Sequence, residues 1–275
     1  MQERLLTFVV PLRAPAASKN WERVLERLAE TVRSIDSACK ETPGLGAVLV
    51  VNREAELPPL PSCFEVIRVD LPPPGVSIFK GESADHERRD AVNWDKGLKV
   101  LTGMRHAQAL SSRFVMSVDA DDLVSRFIAK LPKESPESNG WLIDEGWLLP
   151  VGGKWGMTVD DFHNWCGTYA IVRTNLLPLE RGIEENEPEV VKRIFGNHRH
   201  LAAELEEKGL PLQMAGYPAA IYSVGHSESN FGREGLARSM FAPEKFVENP
   251  RKYIKRLTKL RYFSSRYRFE FSIHI

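Results

Sequence analysis

Four short apolar runs divide the first half of the chain, and between them the apolar positions change from continuous to helical spacing. The run at 5–10 (LLTFVV) is followed by Trp21, Val24, Leu25, Leu28 and Val32, a spacing that predicts a helix over 21–35. Runs at 46–51 (GAVLVV) and 64–69 (FEVIRV) predict two further buried strands, and a helical pattern over 91–110 leads into a fourth at 114–118 (FVMSV). This alternation predicts an α/β fold, a Rossmann-like, mostly parallel sheet wound on both faces by helices. The intervening stretch 70–90, with Pro72, Pro73, Pro74 and Gly75, reads as a long surface loop near the site. From 140 to 166 the texture changes to four tryptophans (Trp141, Trp147, Trp155, Trp165) and five glycines, predicting a β-rich acceptor lobe. A helix over 187–210 and a last strand at 219–224 (AAIYSV) are expected beyond it.

At 275 residues, 43% hydrophobic and 27% charged, the chain has the composition of a globular domain, which excludes disorder and low-complexity sequence. No apolar run reaches the roughly 18 residues of a spanning helix, and the start Met1-Gln-Glu-Arg lacks a signal-peptide pattern, so a cytoplasmic location is expected. Cys39, Cys63 and Cys166 are odd in number and far apart, and read as reduced thiols. The formal net charge of zero hides a segregation: 251–275 holds eight Arg and Lys residues and one acid, Glu270, a net of +7. The division expected is a domain over 1–250, with a nucleotide-binding half at 1–124 and an acceptor half at 125–250, followed by a basic aromatic tail at 251–275. Such a tail suits either peripheral attachment to an anionic membrane or a solvated helix whose aromatics pack back on the body. A nucleic-acid partner is not expected.

The strand at 114–118 runs directly into Asp119-Ala120-Asp121-Asp122, at the end of a buried strand where open α/β sheets bind ligands. Residues two apart share a face of extended chain, so Asp119 and Asp121 can converge, and hard carboxylate oxygens suit Mg²⁺ or Mn²⁺. Alternatively Asp122 caps a helix beginning at Leu123, and the two readings are compatible.

The order of motifs resembles the A-type glycosyltransferase fold, the family-2-like nucleotide-sugar transferases. It is carried by VVPLRAP, VVNRE, DAVNWDKGLKVLTG, FVMSVDADD, FGNHRHLAAELEEKGLPL and YPAAIYSVGHSESN, between about residues 5 and 230. The resemblance implies a metal-dependent transferase, an enzyme of saccharide synthesis that moves a sugar from a nucleoside diphosphate donor such as a UDP-sugar to a saccharide or lipid-linked acceptor. It implies further that Asp119, Asp121 and His226 hold the metal, that Pro11, Arg13 and Asn52 line the nucleoside pocket, and that Arg89 and Lys96 meet the phosphates. Where the family has an acidic pair this chain has Asn197-His198, which makes His198 a candidate base. Glu187, Asp160 and Asp161 are rivals. Trp165, with His163 and Trp147, is the expected acceptor surface, although tryptophans are also commonly core. His226 has a second reading as a loop histidine bonded to backbone.

Two other functions fit parts of the pattern. A strand followed by DxD also describes phosphohydrolases or phosphotransferases of the haloacid dehalogenase type, although three candidate strands precede Asp119 here. A non-catalytic sugar-nucleotide-binding scaffold at a membrane surface fits the Asn197 replacement and the basic tail.

Overall fold

A computed structural model describes residues 4–72, 82–179, 188–197, 199–225 and 248–274. The first strand, β1 (Arg4–Pro11), pairs in parallel with β2 (Leu45–Asn52) on one side and with β4 (Ser112–Ser117) on the other. Strand β3 (Phe64–Val69) continues in parallel beyond β2. Outside β4 come β9 (Ala170–Arg173), antiparallel, then β6 (Gly140–Leu142) and β10 (Gln213–Met214), giving the order β10-β6-β9-β4-β1-β2-β3. This is the mostly parallel α/β sheet that the apolar runs predict. The side chains of β1 and β2 from Leu6 and Gly46 onward are buried, as a sheet covered on both faces requires.

Helix α1 (Trp21–Glu41) opens on Asn20, whose side-chain oxygen accepts the Arg23 amide at 3.0 Å, a cap worth about 1 kcal/mol. Val24, Leu28, Val32, Ile35 and Ala38 form its buried stripe. Helix α2 (Glu82–Ala109) begins inside the stretch expected as loop, of which 73–81 lies outside the described residues. It lies on β1 and β2 so closely that a Cβ added at Gly103 would come within 2.4 Å of Val9 and 3.0 Å of Val50. The strand order reverses direction between β3 and β4, so the right-handed crossovers put α1 and α2 on opposite faces. The reversal leaves a crevice at the carboxyl ends of β1 and β4. Cys63, just before β3, comes against α1, where its Sγ donates to Asp36 Oδ1 at 3.7 Å, and like Cys39 it is a free thiol.

A second sheet, ordered β12-β8-β7-β11-β5, joins β5 (Leu123–Val124), β7 (Glu145–Pro150), β8 (Trp155–Asp160), β11 (Ala220–Val224) and β12 (Leu260–Tyr262). It lies on the α1 side, where the Val124 amide donates to Ser34 Oγ at 3.2 Å. The helix expected over 187–210 is divided into a short turn α4 (Pro188–Val190), a π-helical turn (Val191–Gly196) and α5 (Leu201–Glu207), after the small α3 (Lys130–Glu134).

The segment read as a tail is in its second half part of this sheet. Helix α6 (Pro250–Thr258) leads into β12, which pairs with β8, and α7 (Ser265–Phe271) follows. Phe263 and Phe271 are 1% and 0% exposed, in a small core with Leu123, Trp147, Leu149 and Ile221. Ser272 Oγ also donates to Ser37 Oγ of α1 at 2.6 Å. The boundary expected at 250/251 therefore does not separate a free tail, because the aromatics alternating with its bases supply part of the core. Phe271→Ala should lower unfolding free energy by about 3–5 kcal/mol, the usual cost of emptying a buried phenylalanine site. Denaturant melts will check this, and a loss within experimental error would return α7 to the surface.

Candidate functional site

Strand β4 ends at Ser117, and the Val118 amide still donates to Val9 at 2.9 Å before the chain leaves the sheet. A tight turn follows, closed by the Asp122 amide on the Asp119 carbonyl at 3.0 Å, and the chain then enters the second sheet at β5. No helix starts at Leu123, so Asp122 caps nothing; that expectation is corrected because Leu123 pairs with Ile221 of β11 instead. The Asp122 side chain turns inward and is fully buried. It accepts from Thr168 Oγ1 at 2.6 Å and from Cys166 Sγ at 2.9 Å, while its Oδ1 has no hydrogen-bond partner. Thr168 Oγ1 in turn accepts the Asp119 amide at 2.9 Å. Burial, and then the charges of Asp121 and Asp119, push the Asp122 carboxyl well above the usual carboxylate range, against the pull of its two donors.

The next carboxylate faces the crevice. Asp119 Oδ1 lies 2.5 Å from Lys96 Nζ of α2, with the side chains 26% and 23% exposed. Burial alone would lower the Lys96 ammonium, but the attraction of Asp119, reinforced by Asp122, outweighs it and the group is raised. Gly167 sits over this pair: a Cβ there would come within 2.6 Å of Asp119 Oδ2 and 2.7 Å of Lys96 Nζ. Behind Lys96, α2 and the π-helical turn meet at two glycines, since a Cβ on Gly97 would lie 2.7 Å from the Val191 carbonyl and one on Gly196 only 2.0 Å from that of Asn93. A cavity of about 30 Å³ remains between them, bordered by Lys96, Gly167, Tyr169, Phe195 and Asn197. That is room for water, whereas a nucleotide would need roughly 300 Å³ or more.

At the ends of β1 and β2 stand the residues expected for a nucleoside. Pro11 and Asn52 are buried and Arg13 is half-buried. Asn52 Nδ2 donates to the Leu71 carbonyl at 2.7 Å, while its buried Oδ1 has no partner. Beside them Lys99 and Asp95 form a buried ion pair at 2.8 Å, a feature the sequence reading missed although the i, i+4 spacing within DAVNWDKGLKVLTG signals it. Burial pushes Asp95 up and Lys99 down, each opposed by its partner and each acted on by Arg13 and Glu54. Arg89 is exposed near the start of α2.

The remaining candidates are dispersed. Trp147 is 3% exposed, with its ring centroid 5.1 Å from that of Phe263 and 5.0 Å from that of Tyr267, and so packs in the second core instead of on an acceptor. Trp165 is half-buried against the main core, and His163 is half-buried beside Asn164. Both belong to the connection from β8 to β9 that carries Cys166, Gly167 and Thr168 under Asp119. Asp161 begins that connection in the left-handed region (φ 51°), and Asp160 is held by Lys259 at 2.5 Å. Asn197 ends the π-helical turn and accepts the Arg199 amide at 3.1 Å. His198, Glu187 and His226 lie outside the described residues.

Among the described residues no group of three or more His, Cys, Asp or Glu side chains is arranged to hold a metal ion. Of the ligands expected for a metal, Asp119 has its Oδ1 on the Lys96 ammonium, Asp121 is half-exposed, and His226 lies outside the described residues.

No family model matches the chain, and no curated protein does. Among solved structures it is similar to S. aureus TarS 1-349, at 14% identity and a TM-score of 0.40, over 80% of this chain and 60% of that one. It is also similar to a 4-diphosphocytidyl-2C-methyl-D-erythritol synthase, at 14% identity and a TM-score of 0.34, over 78% and 89% of the two chains. A third is mannose-1-phosphate geranyltransferase from Thermus thermophilus, at 14% and 0.31, over 81% and 74%. The chain thus spans 60% of the length of the TarS structure. At this level of overlap the likeness adds nothing to the strand order, which the hydrogen-bond registers establish by themselves.

An acid raised in the fold holds its proton more tightly there than when unfolded, so its contribution to stability is lost as pH rises from the ordinary carboxylate range toward the folded value. In Asp122→Asn the amide oxygen can still accept from Thr168 and Cys166 without that charge, and the fall of melting temperature with rising pH should become shallower. Asp122→Leu should cost about 1–3 kcal/mol by orphaning the Thr168 hydroxyl. Parallel melting profiles for the parent and Asp122→Asn would overturn the charge argument.

Proposed function

We propose that the chain transfers a glycosyl group from a nucleoside diphosphate sugar, such as a UDP-sugar, to a hydroxyl of a saccharide or lipid-linked acceptor. The observation that carries this reading is the Lys96–Asp119 pair at the carboxyl end of β4, under a glycine that leaves it open to the crevice. In this reading the Asp95–Lys99 pair and the unpartnered Asn52 Oδ1 receive the nucleoside half, Asn52 accepting from a base or ribose donor. Lys96 meets the diphosphate. As the bond from the anomeric carbon to the phosphate oxygen breaks, its electron pair leaves with the nucleoside diphosphate, and a fixed ammonium in a partly desolvated site stabilises that charge. Asp119 keeps Lys96 charged and aimed. In this reading Lys96 supplies the positive charge that the family resemblance assigns to Mg²⁺ or Mn²⁺ on Asp119, Asp121 and His226.

The acceptor hydroxyl forms the new bond to the anomeric carbon and gives its proton to a base. In this reading the base is His198, next in sequence to Asn197, which borders the same cavity as Lys96 and Gly167, with Glu187, Asp160 and Asp161 as rivals. A phosphohydrolase or a non-catalytic scaffold is separated by the test itself.

Thermal shift with UDP and UDP-sugars, in EDTA and in Mn²⁺, reads binding directly because a ligand of the native state raises its melting temperature. Stabilisation that persists in EDTA and weakens about tenfold or more in affinity in Lys96→Ala is expected. Stabilisation that needs Mn²⁺ and ignores Lys96→Ala would restore the metal; none at all, with phosphomonoester hydrolysis, would favour the phosphohydrolase. Binding without sugar transfer across an acceptor panel would leave the scaffold. His198→Ala should lower transfer by roughly 10²–10⁴ with nucleotide affinity kept.

A further inference from the structure

We infer that the outer edge of the second sheet, with α6, is a docking surface for an anionic lipid bilayer. Among the described residues four of the large apolar side chains left exposed lie on β8, β12 and α6, Trp155 at 58%, Ile254 at 53%, Tyr262 at 49% and Leu257 at 44%, while others such as Met214 and Phe269 stand elsewhere. Ile254 and Leu257 are three apart on α6 and share one side of it. Trp155 and Tyr262 face each other across the β8–β12 pairing and touch edge to face at 5.6 Å between centroids. An indole and a phenol held together at a sheet edge are the side chains that settle at the headgroup level of a membrane, while short aliphatic residues enter the acyl boundary.

The charge around this edge selects the occupant. Residues 251–275 carry +7, so the preceding 250 carry −7, and α6, which exposes Ile254 and Leu257, has four bases and no acid in its sequence. Arg251 on α6, Arg261 on β12 and Arg266 on α7 are exposed. A basic residue near an anionic leaflet contributes about 1 kcal/mol, and apolar insertion adds to it, so the two kinds of side chain act together on a bilayer. A polynucleotide would use the bases and stack on the aromatics but would give Ile254 and Leu257 no partner. The inference is independent of glycosyl transfer.

The test is sedimentation of the full chain with vesicles of phosphatidylcholine alone and of phosphatidylcholine and phosphatidylserine in roughly equal parts. Deleting 251–275 would remove Phe263 and Phe271 from the core and is the wrong variant. The paired change Ile254→Gln with Leu257→Gln should weaken binding to the anionic vesicles about tenfold or more, and so should Arg251→Glu with Arg266→Glu. Trp155→Gln, on another strand, repeats the test should the first pair disturb α6, and unchanged melting temperatures certify folding. Binding should also fall at high salt, as the Debye length shortens. No sedimentation of the parent, equal sedimentation of all variants, or retention on single-stranded RNA with none on vesicles would each overturn the inference.

Discussion

Between the last residue of β4 and the first of β5 the chain has five residues, 118–122, in which to leave one sheet and join another, and the buried Asp122 carboxyl fixes how it does so. Its two donors, Thr168 and Cys166, come from the connection that returns the chain from the second sheet to the first. Thr168 also takes the Asp119 amide, so one interior carboxyl sets the turn, the returning segment and the position of the crevice-facing acid. A polar group taken out of water with one oxygen unpartnered is expensive. Its two strong hydrogen bonds, in a region packed by Phe162 against Gly146, are what offset that expense. Gly167 lies between the two donors, and its missing side chain is what keeps the Asp119–Lys96 pair open.

The site then follows from the placement of charges. Three acids in four residues could not all be ionised at close range without compensation. The fold answers by treating each differently: Asp122 is buried and pushed toward its neutral form, Asp119 is matched by Lys96, and Asp121 is half-exposed. On the neighbouring face of α2 the Asp95–Lys99 pair adds a second, drier couple. Close contact between α2 and the π-helical turn through Gly97 and Gly196 brings the segment ending at Asn197 to the same place, so residues nearly a hundred apart border one cavity.

The last segment shows how one pattern of aromatics and bases serves two purposes. Phe263 and Phe271 close the small second core with Trp147, whereas Tyr262 and Ile254 stay outside. Where β12 ends, exposed Tyr262 is followed by buried Phe263, whose amide still donates to the Lys154 carbonyl at 2.9 Å, so the chain stays extended and successive side chains point to opposite faces.

The sequence by itself determined the parallel strands, because a run of Val, Ile and Leu bounded by turn residues has few other ways to be buried, and it placed Asp119 at the carboxyl end of β4. Helix α1 was legible from its stripe of apolar positions. What it misjudged shares one cause. Asp122 before Leu123 has the local signature of a helix cap, Trp147 among glycines and polar residues looks like a sugar platform, and the basic C-terminal residues suit a membrane-bound tail as well as one whose aromatics pack back on the body. In each case the partner lies far along the chain: Thr168 for Asp122, Phe263 for Trp147, β8 for β12. Local propensity carries no information about which distant surface will exclude water from a residue. Only the tertiary structure decided which carboxylate is interior, which is paired and which aromatic is core, because burial and the electrostatics that follow from it belong to the packed assembly of the two sheets.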